Sequence, residues 1–186
     1  MKKSTVVKVL CAIVLVVVLV VAAGGIVAAR SYVDCASRII SSAPPTDARP
    51  PAIFRSLSRA FWGNRDIYLA RVLLRECKSD GHNARRSLRS QTFALAVVKG
   101  RLSFPERVTL SSIFLPAYGG RGLTRSAHAE WGRPPASLSE AEMMWLFVIG
   151  QEPGCSKQRP DYHANRQMCE GLYQSYRARL DASVSP

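Results

Sequence analysis

Acid is scarce in this chain and histidine scarcer: 13 aspartates and glutamates stand against 26 lysines and arginines, with three histidines, for a net charge of +13. His82, His128 and His163 are too far apart in sequence to suggest a metal site, and the cysteines lack zinc-ligand spacing. No cofactor is expected. No Ser-His-Asp or Cys-His arrangement is visible, and Ser111 and Ser112 have no base near them in sequence. No stretch alternates polar and apolar residues long enough to read as a strand, and no internal repeat is present. The remaining class is mainly α, and 186 residues hold one domain plus an appendage.

What is present begins with residues 138–149, the stretch around which the rest is organised. Met143, Met144, Trp145, Leu146, Phe147, Val148 and Ile149 make a helix apolar on every side, which belongs in a core. Ser139 and Glu142 have the spacing of a capping box, in which hydroxyl and carboxylate each take a backbone N–H that the first turn leaves unpaired. Gly150, by a left-handed cap, and Pro153 are expected to end it. Ser103 and Glu106 repeat that spacing, with Pro105 in the first turn, and start another helix. Further helices are expected over 53–61, 66–77, 86–99 and 124–131, the last of these capped by Thr124, and after Asp161. Residues 78–86 read as an exposed loop, and Gly119, Gly120 and Gly122 as a flexible turn.

The appendage is at the front. From Val9 to Ala29 no residue is charged, which meets the roughly 20 apolar residues that cross a bilayer. Lys2, Lys3 and Lys8 precede the run and place the N-terminus in the cytoplasm. A cleaved signal peptide is the competing reading, but its apolar region spans only about 7–15 residues. The expected organisation is a cytoplasmic tip and transmembrane anchor over 1–30, a juxtamembrane and Pro-rich linker over 31–51, whose residues 31–42 can extend the helix by a few turns before four prolines make a semi-stiff spacer, and an exported helical domain over 52–186. Outside the membrane a basic protein meets anionic headgroups, wall polymers or a diphosphate-linked lipid, and nucleic acid falls away as a partner. Cys11 lies in the span, which leaves Cys35, Cys77, Cys155 and Cys169 for two disulfides in an oxidising compartment. Three pairings are open. Cys155 with Cys169 closes a short loop between helices and leaves Cys35 with Cys77.

The order of features carries a resemblance. Glu130, Trp131, Gly132, Arg133, Pro134, Ser137, Leu138, Ser139, Ala141 and Glu142 stand in the frame Tyr-Phe-Gly-Lys-Pro-Ala-x-x-Leu-Thr-x-x-Glu-Ala-Ala. Ala164 and Arg166 fit the closing helix, Leu69, Ala70 and Arg71 look like a Leu-Ala-Lys, and Arg101, Leu102, Ser103 and Glu106 look like an Arg-Leu-Ser-Lys-x-Glu. Across about 50–173 the chain resembles the family 51 glycosyltransferases, the transglycosylase domain of penicillin-binding proteins. The resemblance implies a lysozyme-like helical fold on a single N-terminal membrane helix, in the bacterial inner membrane with the C-terminal domain outside. It also implies lipid II or peptidoglycan glycan as ligand, other cell-wall synthesis proteins as partners, and a divalent cation if the protein is active. Arg71 stands at a phosphate-contacting lysine of the family, and Arg85, Arg86 and Arg89 stand where its basic motif lies; arginine chelates phosphate oxygens with two parallel bonds.

The same frame lacks the family's acids. The chemistry needs a carboxylate to deprotonate the acceptor hydroxyl. The catalytic Glu-Asp falls on Phe61 and Trp62, the second glutamate on Ser111 (or on Thr109 in the alternative register), and the glutamate of the basic motif on Gln91. Of the remaining acids, Glu106 and Glu142 read as caps, while Glu76, Glu130 and Glu152 have no partner acid in sequence. The expectation is a degenerate member that binds lipid II or glycan strands with weak or absent catalysis. The alternatives are an active transglycosylase with a relocated acid and a lysozyme-like glycan hydrolase.

Overall fold

One continuous helix, α1 (Lys3–Ser42), opens the computed structural model, which describes residues 3–61, 65–77, 88–117 and 120–184. Its stretch from Ile13 is long and apolar enough to cross a membrane, and Ile13 to Val21, with Ile26 and Val27, are each 55% or more exposed. Nothing among the described residues covers them. Six residues past Ala29 the same helix turns inward: Cys35 and Ala36 are buried, and Cys35 is bonded to Cys77.

The domain is helical among the described residues, apart from a two-residue antiparallel pair. In order come α2 (Pro45–Ala48), α3 (Ala52–Ala60), α4 (Arg65–Glu76), α5 (Leu88–Arg101), α6 (Phe104–Ile113), β1 (Pro116–Ala117), β2 (Gly120–Arg121), α7 (Leu123–Trp131), α8 (Glu140–Gln151) and α9 (Tyr162–Val184). Pro116 pairs with Arg121 and Ala117 with Gly120. Both capping boxes form. Ser103 takes the Glu106 N–H while the Glu106 carboxylate takes the Ser103 N–H at 2.7 Å, and Ser139 with Glu142 repeats the arrangement at 2.8 Å. The Ser139 amide and hydroxyl, with Arg133 beyond them, hold the Glu142 carboxyl below the ordinary range.

Two apolar cores result. The first surrounds α8: Met143, Met144, Leu146, Phe147, Val148 and Ile149 are each at most 2% exposed and pack against Phe54 and Leu57 of α3 and Leu123 and Ala127 of α7. Cys155 and Cys169, bonded to each other, close its far side onto α9. The second core joins Ala36 of α1 to Leu69, Ala70, Val72 and Leu73 of α4, Ala94 and Val98 of α5, and Leu110 of α6. The helix extension expected over 31–42 forms, and the Pro-rich stretch after it includes a short helix. Residues 31–42 continue α1 with Tyr32, Val33, Ile39 and Ile40 against the second core. The prolines that follow start α2, whose Asp47 is buried. The apolar positions at helical spacing in 32–40 account for this packing.

Two glycines also act differently from expectation. Gly150 sits inside α8 without a left-handed cap, and the helix runs on to Gln151. A Cβ there would come within 2.9 Å of the Leu115 side chain and 3.5 Å of Arg65 Nη2, so the residue is small to admit close packing. Gly100 likewise lies within α5, not beyond its end.

Candidate functional site

Of the positions at which the resemblance puts catalytic acids, Phe61 and Ser111 are drawn together, and they are filled. Phe61 caps the C-terminus of α3 and is 7% exposed; its ring meets Tyr176 of α9 edge-on at 4.9 Å and Phe147 of α8 at 6.5 Å. Phe54 lies 4.9 Å from the same Phe147 ring. On Phe147 stacks Arg65, its guanidinium carbon 4.1 Å from the ring centroid. Arg65 Nη1 donates to the hydroxyl of Ser111, itself buried in α6. Phe61 and Ser111 thus flank one aromatic cluster with a guanidinium inside it. Trp62 lies outside the described residues, so this half of the expected pair has no structural account.

Arg65 is the unusual member. It is 5% exposed, and Nε and Nη2 have no hydrogen-bond partner among the described residues. Burial pushes its pKa down to about 10, against which the Tyr176 and Tyr68 phenols act weakly. A cation without a buried carboxylate keeps its desolvation cost, relieved here by one hydroxyl and one ring face. We therefore expect Arg65→Met to stabilise the fold by about 1–3 kcal/mol, read as a higher urea midpoint, because methionine fills similar space against Phe147 without charge. The folded state holds this proton less tightly than the unfolded chain. The penalty is in full force below pH 10 and is relieved only as pH rises through about 10 towards the ordinary arginine range. Burial raises Tyr68 and Tyr176 and so opposes this trend in the same range, and the readout is the difference between the two proteins. A lower midpoint for the methionine protein would mean that the Ser111 bond and the ring contact outweigh desolvation.

The five acids considered as replacements are all engaged. Glu106 and Glu142 cap helices as described. Glu130 accepts from the Ser156 hydroxyl and the Lys157 amide, and the Glu152 carboxylate accepts from Gly154 N–H. Glu76 receives Arg121 through two bonds of 2.7 and 3.0 Å and Arg75 through one of 3.1 Å. The Arg121 hydrogen bond holds its carboxyl below the ordinary range. Among the expected phosphate ligands, Arg71 is exposed on α4 and Arg89 belongs to the first turn of α5, while Arg85 and Arg86 fall outside the described residues.

The concavity lies elsewhere. An open groove of about 840 Å³ between α2 and α7 is lined by Pro44, Asp47, Arg121, Thr124, Arg125, His128 and Ala129. Asp47 builds it. Its Oδ1 accepts from the Thr124 amide at 2.8 Å and the Thr124 hydroxyl at 2.6 Å, so α7 is capped from α2, and Thr124 is not the cap that the sequence suggested. The residue in the N-cap place is Gly122, with φ of 113°, and a Cβ on it would lie 2.5 Å from Asp47 Oδ2. A Cβ on Gly120 would lie 2.0 Å from Arg125 Nη1, so the guanidinium folds directly over the β2 backbone. Arg121 reaches Glu76 from the same strand with its guanidinium carbon 4.7 Å from the centre of the Phe114 ring. Sequence carried half of this signal, in the glycine turn and in Thr124 and His128 at helical spacing. Asp47, almost eighty positions away, gave none. In comparisons with known proteins, no family model, no curated protein and no solved structure matches this chain.

Proposed function

We propose that this protein is a membrane-anchored, transglycosylase-like binding protein of bacterial cell-wall assembly. On this reading it is held in the inner membrane by α1, with its domain outside the cytoplasm, and it retains lipid II or glycan strands without polymerising them. The observation that carries the reading is the plug: where the resemblance calls for carboxylates, Phe61, Phe147 and Tyr176 pack on one another and Arg65 is bonded to Ser111. General base catalysis needs an ionisable acceptor within hydrogen-bond reach of the attacking hydroxyl, and an aromatic ring offers none. The exposed apolar length of α1 and the two disulfides support the location, since bonded cysteines belong to an oxidising compartment.

The test incubates full-length protein in detergent, with a divalent cation, with labelled lipid II, and reads retained label and polymer separately. Retained label without polymer is expected. Polymer that disappears on Glu76→Gln, Glu130→Gln or Glu152→Gln would overturn the reading in favour of a relocated acid. In a parallel incubation with preformed glycan strands, their shortening would overturn the reading in favour of a hydrolase.

A further inference from the structure

The groove between α2 and α7 is a candidate binding site in its own right, and its height above a membrane narrows what can reach it. The argument rests on the anchoring proposed above. Ala29 ends the uncharged run, and from there α1 continues as one helix to Ser42, thirteen residues or about 20 Å of axial rise. Pro44, on the groove wall, follows two residues later. The headgroup layer is only about 5–8 Å thick on each side of the hydrocarbon. A tilt of about 20° shortens the height by a few per cent. The groove therefore opens well beyond the phosphates of the bilayer lipids.

Its chemistry is that of a phosphate receptor with a built-in competitor. Arg121 and Arg125 bring two guanidinium groups and His128 an imidazole to the groove from one turn of α7 and the adjoining strand, while the Thr124 hydroxyl is already given to Asp47. Asp47 shares the wall, but its carboxylate is 5% exposed as a residue and spends Oδ1 on the α7 N-terminus. Glu76 takes Arg121 in the two-bond geometry that a phosphate would use, with Arg75 on its own helix and the Tyr68 ring near the pair. The pair is partly open to solvent, with side chains 43% and 25% exposed, so an incoming anion can exchange with it.

We propose that this groove binds the phosphodiester groups of an anionic polymer lying outside the membrane, with Glu76 holding Arg121 in place until the polymer displaces it. A polymer fits because it reaches the groove's height and offers repeated charges to an open surface.

The experiment reconstitutes the full chain in nanodiscs of neutral lipid and measures binding of a fluorescent glycerol-phosphate oligomer by anisotropy. Binding is expected, weakened about tenfold by Arg125→Ala and tightened about tenfold by Glu76→Gln, since each change removes or releases one charge-assisted contact. Because a merely structural Glu76 would not raise affinity when neutralised, a Glu76→Gln protein with unchanged or weaker binding overturns the proposal. A second arm replaces the neutral lipid with anionic lipid. Undiminished oligomer binding is expected, and full competition by the lipid would reassign the groove to headgroups. Failure of the protein to enter nanodiscs would refute the anchor, and the height argument with it, whereas entry without oligomer binding would refute the groove alone. A third arm uses inorganic phosphate; competition as strong per phosphate as the oligomer would show a free-phosphate site and overturn the polymer.

Discussion

Phe147→Ala is expected to cost about 3–5 kcal/mol of folding free energy, the range for emptying an aromatic site in a core. The ring is 1% exposed and touches three groups at once: Phe54 at 4.9 Å, Phe61 at 6.5 Å and the Arg65 guanidinium at 4.1 Å. Its removal opens a cavity among side chains held by α3, α4 and α9, none of which can collapse inward without disturbing its own helix. It also strips a buried cation of one of its two stabilising contacts. That second part can be separated. In an Arg65→Met background the same substitution should cost about 1 kcal/mol less, the usual size of a ring contact to a cation. Urea denaturation of the four proteins in one detergent gives the cycle. Equal costs in the two backgrounds would mean that the Phe147 ring serves only as packing.

Loss of the Cys35–Cys77 bond should be nearly as severe. The two residues are 42 apart, and a bond closing a loop of that size removes unfolded-state entropy worth about 4 kcal/mol in the chain-entropy treatment. Cys155 and Cys169 are 14 apart, for which the same treatment gives about 3 kcal/mol. The consequences should also differ in place. Cys35→Ala with Cys77→Ala loosens the contact between α1 and the second core and should expose residues 32–48 to protease, while Cys155→Ala with Cys169→Ala should expose the loop before α9. Limited proteolysis followed by mass measurement distinguishes them. Identical cleavage patterns would show that the two bonds stabilise one indivisible unit.

Several parts of this fold were legible because their causes are local. The capping boxes at Ser103 and Ser139 each place donor and acceptor three residues apart, and both form as the spacing required. The helix of 138–149 is apolar on all sides and is buried on nearly all of them. Four cysteines beyond the first apolar run left three pairings open, and the short separation of Cys155 and Cys169 pointed to the one that forms. What escaped was decided at a distance. Gly150 looks like a stop by composition, yet Leu115 and Arg65 approach its Cα and make it an interior packing position. Residues 41–51 looked like a spacer because they hold four prolines, while the contacts that fix α2 belong to α6 and α7. The groove needed Asp47 under Gly122, an encounter between positions 75 apart that no local pattern announces. Arg65, too, reads as an ordinary surface charge at the start of a helix, and only the meeting of α4 with α8 places it on a ring.

On the anchoring proposed above, the unbroken α1 makes its apolar length and the domain one rigid shaft. A flexible tether would let the domain sample all headings over the bilayer; a continuous helix bonded to α4 at Cys35 fixes both height and azimuth. Each residue added between Ala29 and Tyr32 advances the phase by about 100° and the height by about 1.5 Å. One inserted alanine would therefore point the groove towards a different neighbour while leaving every contact inside the domain intact. Seven would restore its heading to within about 20° and lift it by about 10 Å. On that reading, the length of helix between the apolar run and the domain sets the height and heading of the domain, and it can change one residue at a time without touching the fold.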